Sequence, residues 1–274
     1  MEISISEIKD HNLCPMYHWN RWKEERRAVE EPSEALTLGT YAHTHLADMM
    51  KGRTLRLGAE KLTAAERAVD TALVAWSTQY FHVDSALLPW GEVLLVEEPL
   101  HLQLTDDITL VGIPDAIVKS QGTLWHVQHK TIAQTIPVGV FTQGVAVSLH
   151  ECGYAALIKN HYPNVPYGGT MLNIVRRMSE KRISDNPLQS LHLEFIPMSD
   201  ARIADGIADI TLKARQILSE YQGERVEKRR ESCTGLYRNK LCGYYDSCWR
   251  GVSIHNDILY EDANPRTRYG VTDE

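Results

Sequence analysis

Hydrophobic residues recur along the chain with two different periods, and the change from one to the other divides it. Over Glu34 to Lys51, Leu38, Ala42, Leu46 and Met49 or Met50 fall on one helix face, with Gly39 leaving room for another backbone to approach. Capping-box pairs mark two further helix starts. Ser4 and Glu7 open a helix running toward Cys14, where Pro15 interrupts it or opens a successor; Thr63 and Glu66 precede Val69, Leu73 and Trp76 on one face. From Glu92 the texture becomes that of strands: Glu92 to Leu104, Ile108 to Lys119 and Thr123 to Thr131 are rich in Val, Ile, Leu and Thr and bounded by turn residues. One long helix is predicted from Pro137 to about Tyr162, then strands over Thr170 to Val175 and Leu191 to Pro197, then a helix from Ser199 to about Tyr221. This order predicts an α/β protein with a mixed central sheet flanked by helices.

Composition narrows the class. The 274 residues are 43% hydrophobic, enough for a substantial interior, and the net charge of −7 argues against a general nucleic-acid coat while leaving room for a local basic strip. No run of 18 apolar residues occurs, and the opening MEISISEIKD is acidic where a signal peptide would be basic and then apolar. A cytoplasmic location without a membrane partner is therefore expected. In that reducing compartment the five cysteines read as thiols or metal ligands rather than disulfides.

Candidate chemistry sits on a hairpin. Residues 112 to 131 read GIPDAIVKSQGTLWHVQHKT, and a two-residue turn at Gln121-Gly122 makes facing residue numbers sum to 243, which sets Asp115 opposite Gln128. Lys130, two residues past Gln128, projects from the same face. An acid, an amide oxygen and an ammonium so placed can bind a hard divalent cation, orient a water and offset charge on a phosphate in flight. Taken alone, the hairpin fits a surface ion pair between Asp115 and Lys130 better than a metal site.

Five segments follow one another in a recognisable order: Gly39-Thr-Tyr-Ala-His43, Glu97-Glu98-Pro99, Gly112-Ile-Pro-Asp115, Gln128-His-Lys130-Thr131 and His150-Glu-Cys-Gly-Tyr154. Together they resemble the RecB-like branch of the PD-(D/E)xK nucleases. The resemblance implies a restriction-endonuclease-like core in which His43, Asp115 and Gln128, with the His129 carbonyl, hold Mg²⁺ or Mn²⁺ while Lys130 assists the attacking water. It also implies a positioning helix, to which His150 and Tyr154 correspond with histidine in place of the family's glutamine. Gln128 stands where the family has a metal-binding carboxylate and brings no negative charge; Glu97 or Glu98 on the preceding strand is a candidate to replace it, strand alternation admitting only one. His45, two residues beyond His43, shows that a histidine on this helix can equally be an ordinary polar residue.

Cys233, Cys242 and Cys248 are separated by eight and five residues, and Cys14 is a fourth thiol far upstream. The set resembles the iron–sulfur members of the same nuclease family, in which one N-terminal and three C-terminal cysteines join the chain ends through a 4Fe–4S cluster. Thiolate chemistry itself leaves zinc open, with His255 as a substitute ligand, and Cys152 reads as core packing. From Arg225 to Arg250, seven Arg or Lys stand against three Asp or Glu, interleaved with aromatic residues. Arg229, Arg230, Arg238 and Lys240 are therefore candidates for nucleic-acid contact, a solvated basic surface being the alternative.

The expected organisation is a single nuclease-like domain over 1–274: a core at 34–200, cluster-forming terminal segments at 1–30 and 225–250, and a polar, poorly ordered tail at 251–274. The expected function is a metal-dependent DNA nuclease, an exonuclease of recombination, repair or phage DNA processing. Its partners would be DNA, single-stranded or with free ends, and recombination or replication proteins. The alternative is a DNA-binding or assembly protein of the same fold whose hydrolysis is weakened or lost through Gln128.

Overall fold

The computed structural model describes residues 1–29, 33–53, 63–80, 91–223, 225–229, 233 and 242–266. They form two compact units, one gathering 1–31, 99–112 and 204–274 and the other 32–98 and 113–203. The second is the sheet unit. Residues 99–112 group with the terminal segments rather than with it.

The sheet unit is built on five strands: β3 (Glu92–Val96), β6 (Ala116–Ser120), β7 (Thr123–Ala133), β8 (Tyr167–Arg177) and β9 (Leu191–Pro197), in spatial order β3-β6-β7-β8-β9. Only β7 and β8 are parallel; the other neighbours are antiparallel, so the sheet is mixed as expected. One face is covered by α3 (Glu34–Met50) and α4 (Ala64–Tyr80), whose Leu38, Ala42, Leu46, Val69, Leu73 and Trp76 are buried against Ala116, Val118, Val127, Met171 and Val175. Ser33 caps α3 and the Thr63–Glu66 box caps α4. On the other face Ile132, Leu172, Ile174 and Ile196 pack with Phe141 and Val145 of α5 (Val138–Ala146).

Three expectations need correction here. The long helix from Pro137 is two, because Val147 ends α5 and Ser148 accepts the Glu151 N–H to cap α6 (Leu149–His161). The strand predicted from Glu92 to Leu104 breaks at Glu97, whose φ is +53°, and the one from Ile108 to Lys119 breaks at Ile113–Asp115. The broken-off halves, β4 (Leu100–Thr105) and β5 (Ile108–Gly112), leave the central sheet. They form a hairpin to which β1 (Glu2–Ser4) adds in parallel in the terminal unit.

In the terminal unit the Ser4–Glu7 capping box opens α1 (Ile5–Leu13), and Pro15 starts the short α2 (Pro15–His18) after Cys14. The tail is ordered in part: β10 (Tyr260–Asp262) pairs with β2 (Arg26–Ala28), and Tyr260 is buried. Arg26 holds this pairing with ion pairs to Asp257 and Asp262. The chain further forms helices α7 (Glu180–Asp185), α8 (Asp200–Tyr221) and α9 (Tyr245–Arg250), a π-helical turn at Trp19–Lys23 and a 3-10 turn at Pro187–Ser190.

Candidate active site

The β6–β7 hairpin has the register that its turn dictates. Gln121 and Gly122 both have positive φ, +50° and +79°, the backbone of a type I′ turn, and Ala116 pairs with Val127 and Ser120 with Thr123. Asp115, one residue before β6, is therefore level with Gln128. Three hydrogen bonds hold its bend: the His129 N–H donates to Asp115 Oδ2 at 2.7 Å, the Glu97 N–H to the Asp115 carbonyl at 3.3 Å, and the Tyr154 hydroxyl to the Ile113 carbonyl at 3.0 Å.

Helix α3 brings His43 to this bend. A Cβ on Gly39 would come within 3.2 Å of Thr131 Oγ1, so glycine lets α3 press onto β7. One turn further on, His43 Nδ1 stands 3.7 Å from Asp115 Oδ1, with both side chains partly accessible. Burial lowers the His43 pKa despite the pull of Asp115, so at neutral pH the imidazole keeps a lone pair for a cation. Burial opposes the charge on Asp115, but Lys130, His43 and His129 outweigh it and hold the carboxyl below its ordinary range. Asp115 is thus ionised.

Gln128 is 3% exposed, and its Oε1 is buried without a hydrogen-bond partner. Such an orphaned oxygen costs about 1–3 kcal/mol unless something satisfies it. Among the described residues no three His, Cys, Asp or Glu side chains are arranged to hold a metal ion. His43 and Asp115 are two candidate donors, and the amide oxygen of Gln128 is the available third.

Strand alternation does not choose between Glu97 and Glu98, since both lie in the bend past β3 and Glu97 has a left-handed backbone. Electrostatics separates them. Glu97 pulls on His43 and pairs with Lys51 at 3.4 Å, whereas Glu98 acts on Tyr162.

His129 gives its main-chain N–H to Asp115 and sends its ring to the α3–α4 face. Asn173 Oδ1 accepts the Trp76 indole N–H at 2.9 Å, which turns the Asn173 amide nitrogen toward His129 Nδ1, also at 2.9 Å. Nδ1 therefore accepts, and the ring proton sits on Nε2. Burial pulls the His129 pKa down to about 3, so the ring stays neutral. Trp76 figured in the sequence reading only as part of an apolar helix face and Asn173 not at all; three residues distant along the chain carry no shared signal.

His150 and Tyr154 lie together on α6, ring centroids 4.8 Å apart, as their spacing predicts. Between them the sequence reading passed over Glu151, which is 1% exposed. Its Oε2 accepts the Thr170 hydroxyl at 2.7 Å and faces His126 Nδ1 at 3.2 Å, while His150 Nδ1 lies 3.5 Å from Oε1. Burial raises the cost of its charge, yet bonds from His126 and His150 prevail and hold it well below the usual carboxylate range. The available signal was the alternation of His126, Gln128 and Lys130 on one strand face.

The terminal unit gathers cysteines. Cys14 and Cys242 are buried in one cluster with Tyr17, Tyr244 and Tyr260, and Cys248 packs against it. The Cys233 carbonyl accepts the Cys242 N–H, and Trp249 Nε1 donates to Cys233 Sγ at 3.1 Å. Burial, then Cys242, Cys14 and Cys233, push the Cys248 thiol up to about 11 against the opposing effect of Lys228. Cys152 is buried in α6, its thiol 3.8 Å from the Arg202 carbonyl. His255 Nε2 lies 3.6 Å from Glu24. Of the basic candidates, Arg229 donates to the Asn12 carbonyl, while Arg230, Arg238 and Lys240 lie outside the described residues. No described helix is long and apolar enough to cross a membrane.

No family model matches the chain, and no curated protein matches it in sequence. Among solved structures it is similar to the 2.19 Å crystal structure of a proposed exonuclease from Eubacterium rectale, with TM-score 0.57, 14% identity, and 88% of this chain and 89% of that chain covered. At that identity the likeness establishes a shared fold: an α/β architecture with a mixed central sheet flanked by helices.

Proposed function

We propose that the chain is a divalent-metal-dependent DNA nuclease of the RecB-like PD-(D/E)xK type, acting on strand ends. The observation that carries the proposal is the convergence of His43 and Asp115 on one bend, beside the strand that carries Lys130 and the unpartnered, buried oxygen of Gln128. His43, Asp115 and Gln128 would hold the cation, with the His129 carbonyl as a further ligand. A cation so held supplies positive charge to the phosphate oxygens and eases deprotonation of water. Lys130 orients the attacking water and offsets charge that grows on the phosphate. Tyr154 and the His129 N–H fix the bend that carries Asp115, and neutral His43 leaves its lone pair available. The neutral amide at Gln128 favours a second reading, a DNA-binding protein of this fold with little turnover.

The four thiols Cys14, Cys233, Cys242 and Cys248 belong, on this proposal, to an iron–sulfur cluster, zinc being the alternative. Their soft donor set suits either, and three of them already share a buried patch.

The full-length protein, purified anaerobically, is incubated with end-labelled single- and double-stranded DNA and Mg²⁺ or Mn²⁺. Metal-dependent cleavage that falls by roughly a hundredfold or more in Asp115→Ala and Lys130→Ala is expected. Cleavage unchanged in both variants would sink the assignment, and salt-sensitive binding without cleavage would establish the second reading.

A further inference from the structure

Asp115 has a neutral amide level with it on one side and an acid on the other. Across the β6–β7 hairpin its opposite residue is Gln128. Across the β3–β6 ladder, where Val96 pairs with Ala116, its opposite residue is Glu97, and the Glu97 N–H donates to the Asp115 carbonyl at 3.3 Å. Glu97 thus stands beside the bend that His43 faces, and its charge acts on that imidazole. The carboxylate itself is engaged by a cation of the chain. Lys51, which follows α3 two turns beyond His43, donates from Nζ to Glu97 Oε2 at 3.4 Å. Among the described residues His43, Asp115 and Glu97 accordingly do not form a ready metal-binding group.

Charge decides which partner Glu97 prefers. A hard divalent cation between His43 and Asp115 would meet one full negative charge, since His43 is neutral and Gln128 carries an amide; a second carboxylate balances it. The Lys51–Glu97 pair has little to set against that gain. Its two side chains are 32% and 42% exposed, and an ion pair in such surroundings contributes little and is readily given up. A doubly charged ion attracts the same oxygen more strongly than one ammonium does.

We propose that Glu97 is a carboxylate ligand of the cation, supplying the charge that Gln128 lacks, and that Lys51 is its competitor for that carboxylate. This rests on the nuclease reading above. Lys51 thereby sets the cation concentration at which the site fills, while Glu98, which acts on Tyr162, takes no part.

The test needs no DNA. Full-length protein is titrated with Mn²⁺, a cation suited to carboxylates rather than to thiolates, and binding is followed by the electron paramagnetic resonance of the ion left in solution. Glu97→Gln should weaken binding by about tenfold, because the site loses one of its two charged ligands. Lys51→Gln should tighten it by about twofold to fivefold, the range of an exposed ion pair, and Lys51→Arg, which keeps the pair, should bind as the wild type does. In the Glu97→Gln background Lys51→Gln should have no effect. Tightening of the same size there would mean that Lys51 acts only as a like charge near the cation, and would overturn the exchange. If Asp115→Asn loses Mn²⁺ while Glu97→Gln binds it as well as the wild type, Glu97 is no ligand; the inference is overturned and the nuclease reading stands. If Asp115→Asn itself binds Mn²⁺ as well as the wild type, no cation sits at this bend, and the nuclease reading falls together with the inference.

Discussion

Asp115 and His129 are joined across the β6–β7 hairpin by a 2.7 Å bond from the main-chain N–H of His129 to Asp115 Oδ2. One carboxylate oxygen is thereby fixed and the other faces His43 at 3.7 Å. Asp115 cannot swing away to relieve crowding, so what stands opposite it matters.

Gln128→Glu places a second carboxyl level with a fixed, ionised one. Without divalent cation the like charges repel in a buried place, and the variant should melt below the wild type. With cation the order reverses, because only the variant gains a negatively charged ligand. The Mg²⁺ midpoint for cleavage should fall by about tenfold or more, since a tenfold gain requires only about 1.4 kcal/mol of added binding. Melting curves in EDTA and in Mg²⁺, with a Mg²⁺ titration of cleavage, check both halves; a variant that needs more Mg²⁺ than the wild type contradicts the site.

Tyr154→Phe removes the hydroxyl that donates to the Ile113 carbonyl and leaves the ring in place. The stability loss should be about 1 kcal/mol, a few degrees in Tm. The bend carrying Asp115 loosens, so kcat should drop while KM for DNA holds. A rise in KM alone would place Tyr154 on the DNA instead.

How far the geometry around the candidate residues was legible in the sequence differs by residue. The register of Asp115 against Gln128 follows from a turn whose φ values only a few residue pairs adopt, and Gly39 with His43 follows from helix periodicity against a strand. Glu97-Glu98-Pro99 and Gly112-Ile113-Pro114 mark in the sequence where the two runs break, but not that the broken-off β4 and β5 cross to another sheet. Glu97 marks the crossing with a left-handed backbone at a residue that gives no warning of it. The split between α5 and α6 was visible only as Ser148, a good N-cap buried in a run that otherwise kept helical spacing.

Glu151 gives a pH signature. Its folded carboxyl lies below the unfolded value of about 4.3, so its stabilisation is full above that value and is lost as pH falls below it. Glu151→Gln removes the charge that faces His126 and His150. The variant should be less stable than the wild type at neutral pH, and the gap should narrow as the wild type is acidified below about pH 4. Melting temperatures of both proteins across that range decide it; parallel curves would mean that the carboxylate contributes no charge-dependent stability.

Metal removal tests the cysteines. Protein purified anaerobically should be brown and contain iron and sulfide, and Cys14→Ser or Cys248→Ser should lose both. Stripping the metal with a chelator should lower Tm by several degrees, because the metal binds the four thiolates together only in the folded state. Stoichiometric zinc in colourless protein would replace the cluster, and metal-free protein of unchanged stability would remove the thiols from any ligand role.

The pairing of β1 with β5 has a consequence for how the chain is made. Glu2 lies beside Thr109, and the unit that contains both also draws on residues 204–274. At about 5–20 residues per second a ribosome needs roughly 15–55 seconds to supply all of that unit. Until then Ile3, Ile5, Ile8 and Trp22, all buried in the finished protein, wait in a unit that is not yet complete. That unit should therefore need chaperone protection during synthesis, and deletion of residues 204–274 should yield insoluble protein rather than a smaller working one.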